Sequence, residues 1–454
     1  MAWLLRRRKK MSQSRNKTVA ITTLGCKVNQ YESASFASRF QEQGVEVVPF
    51  GGPADIYVVN SCAVTAKAGA QSRQLIRRAL RANPGARMVV TGCYAQVAAQ
   101  EVLDLTEQPI CLVGNENKHL LVDIALSRKM CDLEIYVGDI SVKKEICDLP
   151  VQRFPGRTRC YLKIEDGCNN FCSYCIVPYA RGRVRSLPPE RVMEQVAVFV
   201  GQGYRELVLT GIHVGLYGQD LSPATSLLEL ARALAMADNG LRYRISSLEP
   251  GEVSPELLAL MATSPQFMAH FHLPLQSGSP EILRRMNRKY TVEQFVQVVE
   301  SILTVMPEAA IGLDVLTGFP GEDEAAFLET RRLIEGLRVS YLHVFPYSKR
   351  PGTPAATMPE QVPQPVKEER VAELTALGRE KRQAFYRRQL GSRHRVLVEG
   401  GKNQFKLMKG FTENYVPVHF QATASLENEI VEVEIERVED LDVFGRLIQP
   451  HLYP

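Results

Sequence analysis

The 454-residue sequence contains no apolar run near the roughly 20 residues that a membrane-crossing helix needs. Its opening apolar stretch, Met1 to Leu5, gives way at once to Arg6-Arg7-Arg8-Lys9-Lys10 and is too short for a signal peptide. No targeting segment is recognisable, so a cytoplasmic protein without a membrane partner is expected. Internal repeats and long low-complexity segments are also missing, which excludes solenoids and largely disordered chains. Net charge is scarce as well. The formal value is +5, but residues 1–17 hold seven Lys and Arg and no acid. The rest carries 48 basic against 50 acidic residues, so a nucleic-acid site must be a local patch rather than a global field. Residues 1–15 read as a basic, solvated tail. Ten cysteines are too few for a disulfide scaffold in a chain this long, and their clustering points to metal or redox chemistry.

The densest cluster is Cys168-Asn169-Asn170-Phe171-Cys172-Ser173-Tyr174-Cys175, a C-x3-C-x2-C run. Three thiolates this close can hold three irons of a cubane and leave the fourth iron open to a small molecule. A structural zinc site in a non-catalytic RNA-binding protein is the rival reading. Zinc wants four closed ligands, and no fourth is evident nearby.

Around the run the chain falls into four parts: the tail 1–15, then 16–150, 151–390 and 391–454. In 16–150, strand-like runs at 18–23, 56–60 and 88–91 alternate with helical patterns at 30–43, 66–82 and 96–105. This rhythm predicts a parallel α/β sheet. A cysteine ends each strand: Cys26, Cys62 and Cys93. Ligands of open α/β sheets bind at the carboxyl ends of strands, so these three suggest a second cluster with an open iron. From 157 to 350, six strands alternate with helices, at 161–165, 206–210, 243–247, 271–275, 312–316 and 341–345. Six such units predict a partial (β/α)6 barrel with its chemistry at the strand ends. A charged helix at 366–390 leads to short strands at 394–399, 415–420, 429–437 and 443–448, which predict a small β-barrel. Residues 391–454 hold seven Lys and Arg against ten Asp and Glu. Lys402, Lys406 and Lys409 nevertheless lie beside Phe405 and Phe411, a pairing that suits backbone contact and base stacking. The helix segment 379–388, with Arg379, Lys381, Arg382, Arg387 and Arg388, would add to that face. Cys111, Cys131, Cys147 and Cys160 lack cluster spacing and read as non-ligands. His213 and His272 are not assigned as ligands.

Several strings in this order resemble the radical S-adenosylmethionine (SAM) methylthiotransferases over nearly the whole chain. They are Thr23-Leu24-Gly25-Cys26-Lys27-Val28-Asn29-Gln30-Tyr31-Glu32-Ser33, Asn60-Ser61-Cys62-Ala63-Val64-Thr65, Thr91-Gly92-Cys93-Tyr94-Ala95-Gln96, Asp166 to Pro178 with Arg181-Gly182-Arg183, His272 to Ser279, and Gly318 to Glu322. The resemblance implies a methylthio group attached to an unactivated carbon. It implies two [4Fe–4S] clusters. The one on Cys168, Cys172 and Cys175 would cleave SAM to a radical. The one on Cys26, Cys62 and Cys93 would carry the sulfur. It also implies a TRAM-like, RNA-binding terminal barrel and an electron donor like flavodoxin or ferredoxin, with the sulfur source unidentified. The stretch from Gly25 to Ser33 resembles the branch acting on a tRNA anticodon loop that carries threonylcarbamoyladenosine. Isopentenyladenosine and a ribosomal-protein aspartate are the alternative substrates. By the same resemblance Tyr174 would lie beside the SAM adenine. Thr210, Gly211, Gly318 and Gly321 would line the SAM pocket, and Ser246 and Glu249 would meet its ribose or amino-acid end. Arg181 and Arg183 are candidates for an RNA phosphate or the threonyl carboxylate.

Overall fold

The computed structural model describes residues 17–127, 133–400, 407–422 and 425–448. The tail 1–15, Cys131, Lys402, Phe405 and Lys406 lie outside the described residues. Six parallel strands form the first sheet, in the spatial order Glu46–Val48, Thr18–Thr23, Ile56–Ser61, Arg87–Gly92, Ile110–Val113, Glu134–Tyr136. The chain moves outward from Thr18–Thr23 to Glu46–Val48, then returns past it to Ile56–Ser61. That reversal opens a crevice at the carboxyl ends of Thr18–Thr23 and Ile56–Ser61, where open α/β sheets bind ligands. Three strands here go beyond the sequence reading. Glu46–Val48 and Glu134–Tyr136 have three residues and Ile110–Val113 has four, too few to show a period. The first helix runs Lys27–Glu42, three residues earlier than its apolar pattern begins. The helix expected at 96–105 is two short ones, Cys93–Val97 and Ala99–Leu103.

Six further parallel strands follow in sequential order. Arg159–Lys163, Glu206–Thr210 and Arg242–Ile245 form one ladder; His270–Gln276, Ala310–Thr317 and Tyr341–Pro346 form the other. The ladders meet through the Tyr243–Phe267 bridge and the Leu248 N–H, which donates to His272 O at 3.0 Å. Among the described residues no ladder joins the first and last strands, so the arc is an unclosed barrel, as six units predict. Side-chain alternation explains its two faces. Cys160, Leu162, Leu207, Leu209, Tyr243, Phe271, Leu313 and Leu342 face outward into one apolar cluster under the helices. Their neighbours Arg159, Tyr161, Arg244, His272 and His343 face a polar lumen. The same apolar cluster takes in Tyr31, Phe36 and Phe40 of helix Lys27–Glu42. The first sheet is therefore fused to the arc rather than tethered to it.

Helix Gln364–Arg388 packs along Tyr341–Pro346. It leads into a closed five-stranded barrel ordered Arg393–Glu399, Met408–Phe411, Pro417–Phe420, Asp442–Leu447, Ile430–Glu439. Val396, Val398, Val418, Val433, Ile435 and Val443 fill it, and Phe385 of the helix joins that core. Among the described residues, no helix is long and apolar enough to cross a membrane.

Candidate active site at the strand ends

Cys26, Cys62 and Cys93 each stand between a strand and a helix. Cys26 caps Lys27–Glu42, Cys93 opens Cys93–Val97, and Cys62 lies three residues before Thr65, the cap of Ala66–Ala82. Helix N-termini favour thiolates. Backbone shape brings the three together. Gly25 has φ +97° and Gly92 φ +94°, conformations that a side chain would strain. A Cβ on Gly25 would lie 3.0 Å from the Cys62 Sγ, and one on Gly92 would collide with the Ser61 carbonyl. Side-chain amides tie the loops. Asn29 Nδ2 donates to Leu24 O at 2.7 Å and Ser61 O at 3.1 Å, and Asn60 Nδ2 donates to Asn29 O at 3.0 Å. Burial pushes the Cys62 thiol up to about 11, and the charge of Cys93 adds to this. Cys93 is buried and Cys26 is exposed at the mouth.

The C-x3-C-x2-C run follows the first strand of the arc. Gly167 precedes it at φ +95°, where a Cβ would strike the Arg183 carbonyl. Burial pushes Cys175 up to about 12, and the charge of Cys172 adds to this. Two polar side chains touch the sulfurs. His213 Nδ1 lies 3.4 Å from Cys168 Sγ, with its other ring nitrogen on Glu252. Burial opposes charge on this imidazole, but Cys168 and Glu252 outweigh burial and raise it to about 10. Arg288 Nη1 donates to Cys172 Sγ at 3.3 Å, and its Nη2 pairs with Glu249. Sequence reasoning missed both contacts. The only signal was the place of His213 just past a strand end.

The six thiols are all free, in two sets of three. Neither set has a fourth cysteine among the described residues. Thiols that burial holds protonated, as at Cys62 and Cys175, give up their protons to a metal. This donor set fits two clusters with an open iron each.

A buried ion network joins the two sets. Arg181 is fully buried, six residues after Cys175. Its Nη1 donates to Glu32 Oε1 and to Asp166 Oδ1, both at 2.9 Å, and its Nη2 donates to Asn29 Oδ1. Lys118 pairs with Glu32; Lys163 lies 3.6 Å from Glu32 and 3.4 Å from Asp166. Burial acts to raise Glu32, but Arg181, Lys118 and Lys163 outweigh it and hold the carboxyl well below its usual range. The expectation that Arg181 meets RNA or substrate is therefore corrected. Its guanidinium is spent on carboxylates of the chain itself. Arg183 is exposed and lies over Phe171, 4.6 Å from the ring centre.

Tyr174 is half-buried, edge-on to Phe319 at 6.4 Å. The Thr210 carbonyl accepts from Ile164 N at 2.9 Å. Glu165 fills the side of Gly211, accepting from Ile212 N at 2.8 Å and His213 N at 2.7 Å. Ser246 is half-buried past the third strand, where its N–H donates to Leu209 O at 3.0 Å. Glu249 faces Arg288 beside Cys172. Gly318 and Gly321 both have positive φ, and their open sides abut Lys367 and Arg285.

A cavity of about 420 Å³ occupies the lumen below Cys26, lined by Lys27, Tyr161, Arg244, His272, Tyr341 and Tyr415 among others. The terminal barrel supplies its floor. Arg159 lies 4.5 Å from the ring centre of Phe411 and 5.3 Å from that of Tyr415; Arg244 lies 4.9 Å from Tyr415. Arg244 also donates to Thr412 O at 2.8 Å and Glu413 O at 2.9 Å. Phe411 is thus committed to the cavity wall, not to a free RNA-facing patch. On the helix, Arg379 pairs with Asp440, and Lys381 donates to Glu335 O and Leu337 O at 2.7 Å. Arg379 is thus spent on a surface ion pair and Lys381 on backbone carbonyls, while Arg382 lines the cavity. Cys111, Cys147 and Cys160 are buried singly, as expected of non-ligands.

Residues 162–334 match the radical SAM superfamily, and residues 18–114 match UPF0004, described as an uncharacterised protein family. The threonylcarbamoyladenosine tRNA methylthiotransferase MtaB of Bacillus subtilis is 40% identical over 421 residues, 92% of this chain and 93% of that protein. The protein of the same name from Aquifex aeolicus is 40% identical over 88% of this chain and 96% of its own length. A tRNA-2-methylthio-N(6)-dimethylallyladenosine synthase of Pelotomaculum thermopropionicum is 34% identical over 92% of this chain and 95% of that protein. Among solved structures, the radical SAM methyltransferase TsrM of Kitasatospora setae, with cobalamin and a [4Fe–4S] cluster bound, aligns at TM-score 0.56 and 16% identity. It covers 75% of this chain and 74% of that one, a likeness of fold.

Proposed function

The chain belongs to the tRNA methylthiotransferases of the radical SAM superfamily, and we propose that it attaches a methylthio group to C2 of the threonylcarbamoyl-bearing adenine beside a tRNA anticodon. The observation that carries this reading is the coupling of the two cysteine sets. Arg181, anchored behind the Cys168 run, holds Asn29 and Glu32 on the helix that Cys26 caps. The two three-thiol sites are thereby tied to each other through one buried ion network.

Cys168, Cys172 and Cys175 would hold one [4Fe–4S] cluster and Cys26, Cys62 and Cys93 the other, supplying a radical from SAM and a sulfur site respectively. The protein's own part is positioning. Arg288 and His213 reach the sulfurs of Cys172 and Cys168, where such contacts raise a cluster's potential. Tyr174, Thr210, Gly211, Ser246, Glu249, Gly318 and Gly321 would surround SAM, chiefly through backbone and shape. An electron donor like flavodoxin or ferredoxin and a cytoplasmic setting belong to the same reading.

The surplus of cations in the lumen favours a substrate with a negative charge over the neutral isopentenyl group. Nucleoside analysis of tRNA from a deletion strain tests the reading. Loss of the methylthio group from threonylcarbamoyladenosine alone supports it. Unchanged methylthio-threonylcarbamoyladenosine sinks it.

A further inference from the structure

Lys27 follows Cys26 directly, is the first residue of helix Lys27–Glu42, and is half-buried in the wall of the 420 Å³ cavity. Arg159 and Arg244 line the same cavity. Those two arginines have partners: both lie on Glu206, and Arg159 also pairs with Glu399. Asp314 is engaged by His272 at 2.9 Å and by His343 at 3.3 Å. Lys27 itself has no carboxylate within ion-pair reach among the described residues. Arg382 opposite lies over the ring of Tyr341, 5.6 Å from its centre, and it too has no carboxylate partner among the described residues. A half-buried ammonium without a counter-ion, aimed into a cavity of matching sign, is a site for an anion.

We propose that Lys27 binds the carboxylate of the threonylcarbamoyl group and so selects the substrate adenine, an inference that rests on the function proposed above. The chemistry of the base places the two together. C2 and C6 of adenine are both bonded to N1, so a substituent on N6 extends along the same edge of the ring as C2. If C2 faces the cluster on Cys26, the N6 substituent meets the residue next to Cys26. Arg382 and Tyr341 stand across the cavity to take the hydroxyl and carbonyl groups of the same side chain. Lys27 is a positioning and specificity residue, distinct from the cysteines that hold the clusters.

The test uses cluster-loaded, full-length protein and three anticodon stem-loops carrying threonylcarbamoyladenosine, its neutral methyl ester, or unmodified adenine. Wild type should bind the ester about 10- to 100-fold more weakly than the acid, the loss expected for a charge-assisted hydrogen bond. K27Q should bind acid and ester alike, K27R should restore most of the preference, and iron content should be unchanged in both. An ester bound as tightly as the acid by wild type overturns the proposal without any variant. Equal weakening of all three loops in K27Q overturns it too, by identifying an RNA phosphate as the anion. A wild type that methylthiolates the acid yet binds the ester equally well removes this inference alone. A wild type that leaves the acid unmodified removes the proposed function with it.

Discussion

Replacing Arg181 with Gln should destabilise the whole molecule far more than an ordinary arginine substitution. The guanidinium is fully buried and bonds Glu32, Asp166 and Asn29. Gln cannot span those partners, so Glu32 and Asp166 lose the guanidinium and keep Lys118 and Lys163 against them in a site closed to water. Breaking a buried ion pair by removing one partner costs about 3–5 kcal/mol, a large share of the roughly 5–15 kcal/mol that holds a folded domain together. Urea unfolding of the cluster-loaded chain, followed by far-ultraviolet circular dichroism, measures the loss. E32Q alone should also destabilise. The double variant E32Q/R181Q should cost at least about 1 kcal/mol less than the two singles added, because both singles break the same Arg181–Glu32 bond. The reasoning would be refuted by an R181Q variant within about 1 kcal/mol of wild type, or by single effects that simply add.

Three further outcomes follow from the geometry. G92A puts a Cβ into the Ser61 carbonyl at φ +94° and should misplace Cys93. Iron analysis should then show about four of about eight irons per chain lost, with the barrel cluster kept. Burial pushes the Glu165 carboxyl up to about 8 against backbone hydrogen bonds from His213 and Ile212. The folded chain therefore keeps a proton that the unfolded chain releases near pH 4.5. Its share of stability is full below that pH and is lost as the pH rises through about 8, by up to about 1.4 kcal/mol per pH unit. E165Q should flatten this slope in urea midpoints taken between pH 5 and pH 8.5, and parallel slopes would count against it. Y415A removes the ring lying near Arg159, Arg244 and His270. Hydrogen exchange should quicken in the 412–416 loop, while that of strand Thr18–Thr23 stays unchanged.

The parts of the site that sequence made legible are those that local chemistry dictates. Gly-Cys pairs at strand ends announce both a positive φ and a ligand. The alternation Arg159-Cys160-Tyr161-Leu162-Lys163 separates lumen from core by its two-residue period alone. What stayed hidden depends on partners distant in the chain. Nothing local marks Glu32 as buried; Arg181, 149 positions later, lies against it. Phe411 and Lys409 read as an RNA patch because nothing local shows that Arg159 covers the ring. The three-residue strand Glu46–Val48 is defined by its pairing with Thr18–Thr23, a signal that periodicity does not carry.

The wall of the lumen cavity comes from residue 27, from 159 to 343, from 382 to 386 and from 409 to 417. Translation delivers these pieces in order, at about 5–20 residues per second. Every cysteine of both candidate clusters has been synthesised by residue 175, yet the floor arrives only with the final barrel. The cysteines of both sets are thus complete in the chain more than two hundred residues before the cavity floor is. The two halves of the candidate site become available at different stages of synthesis.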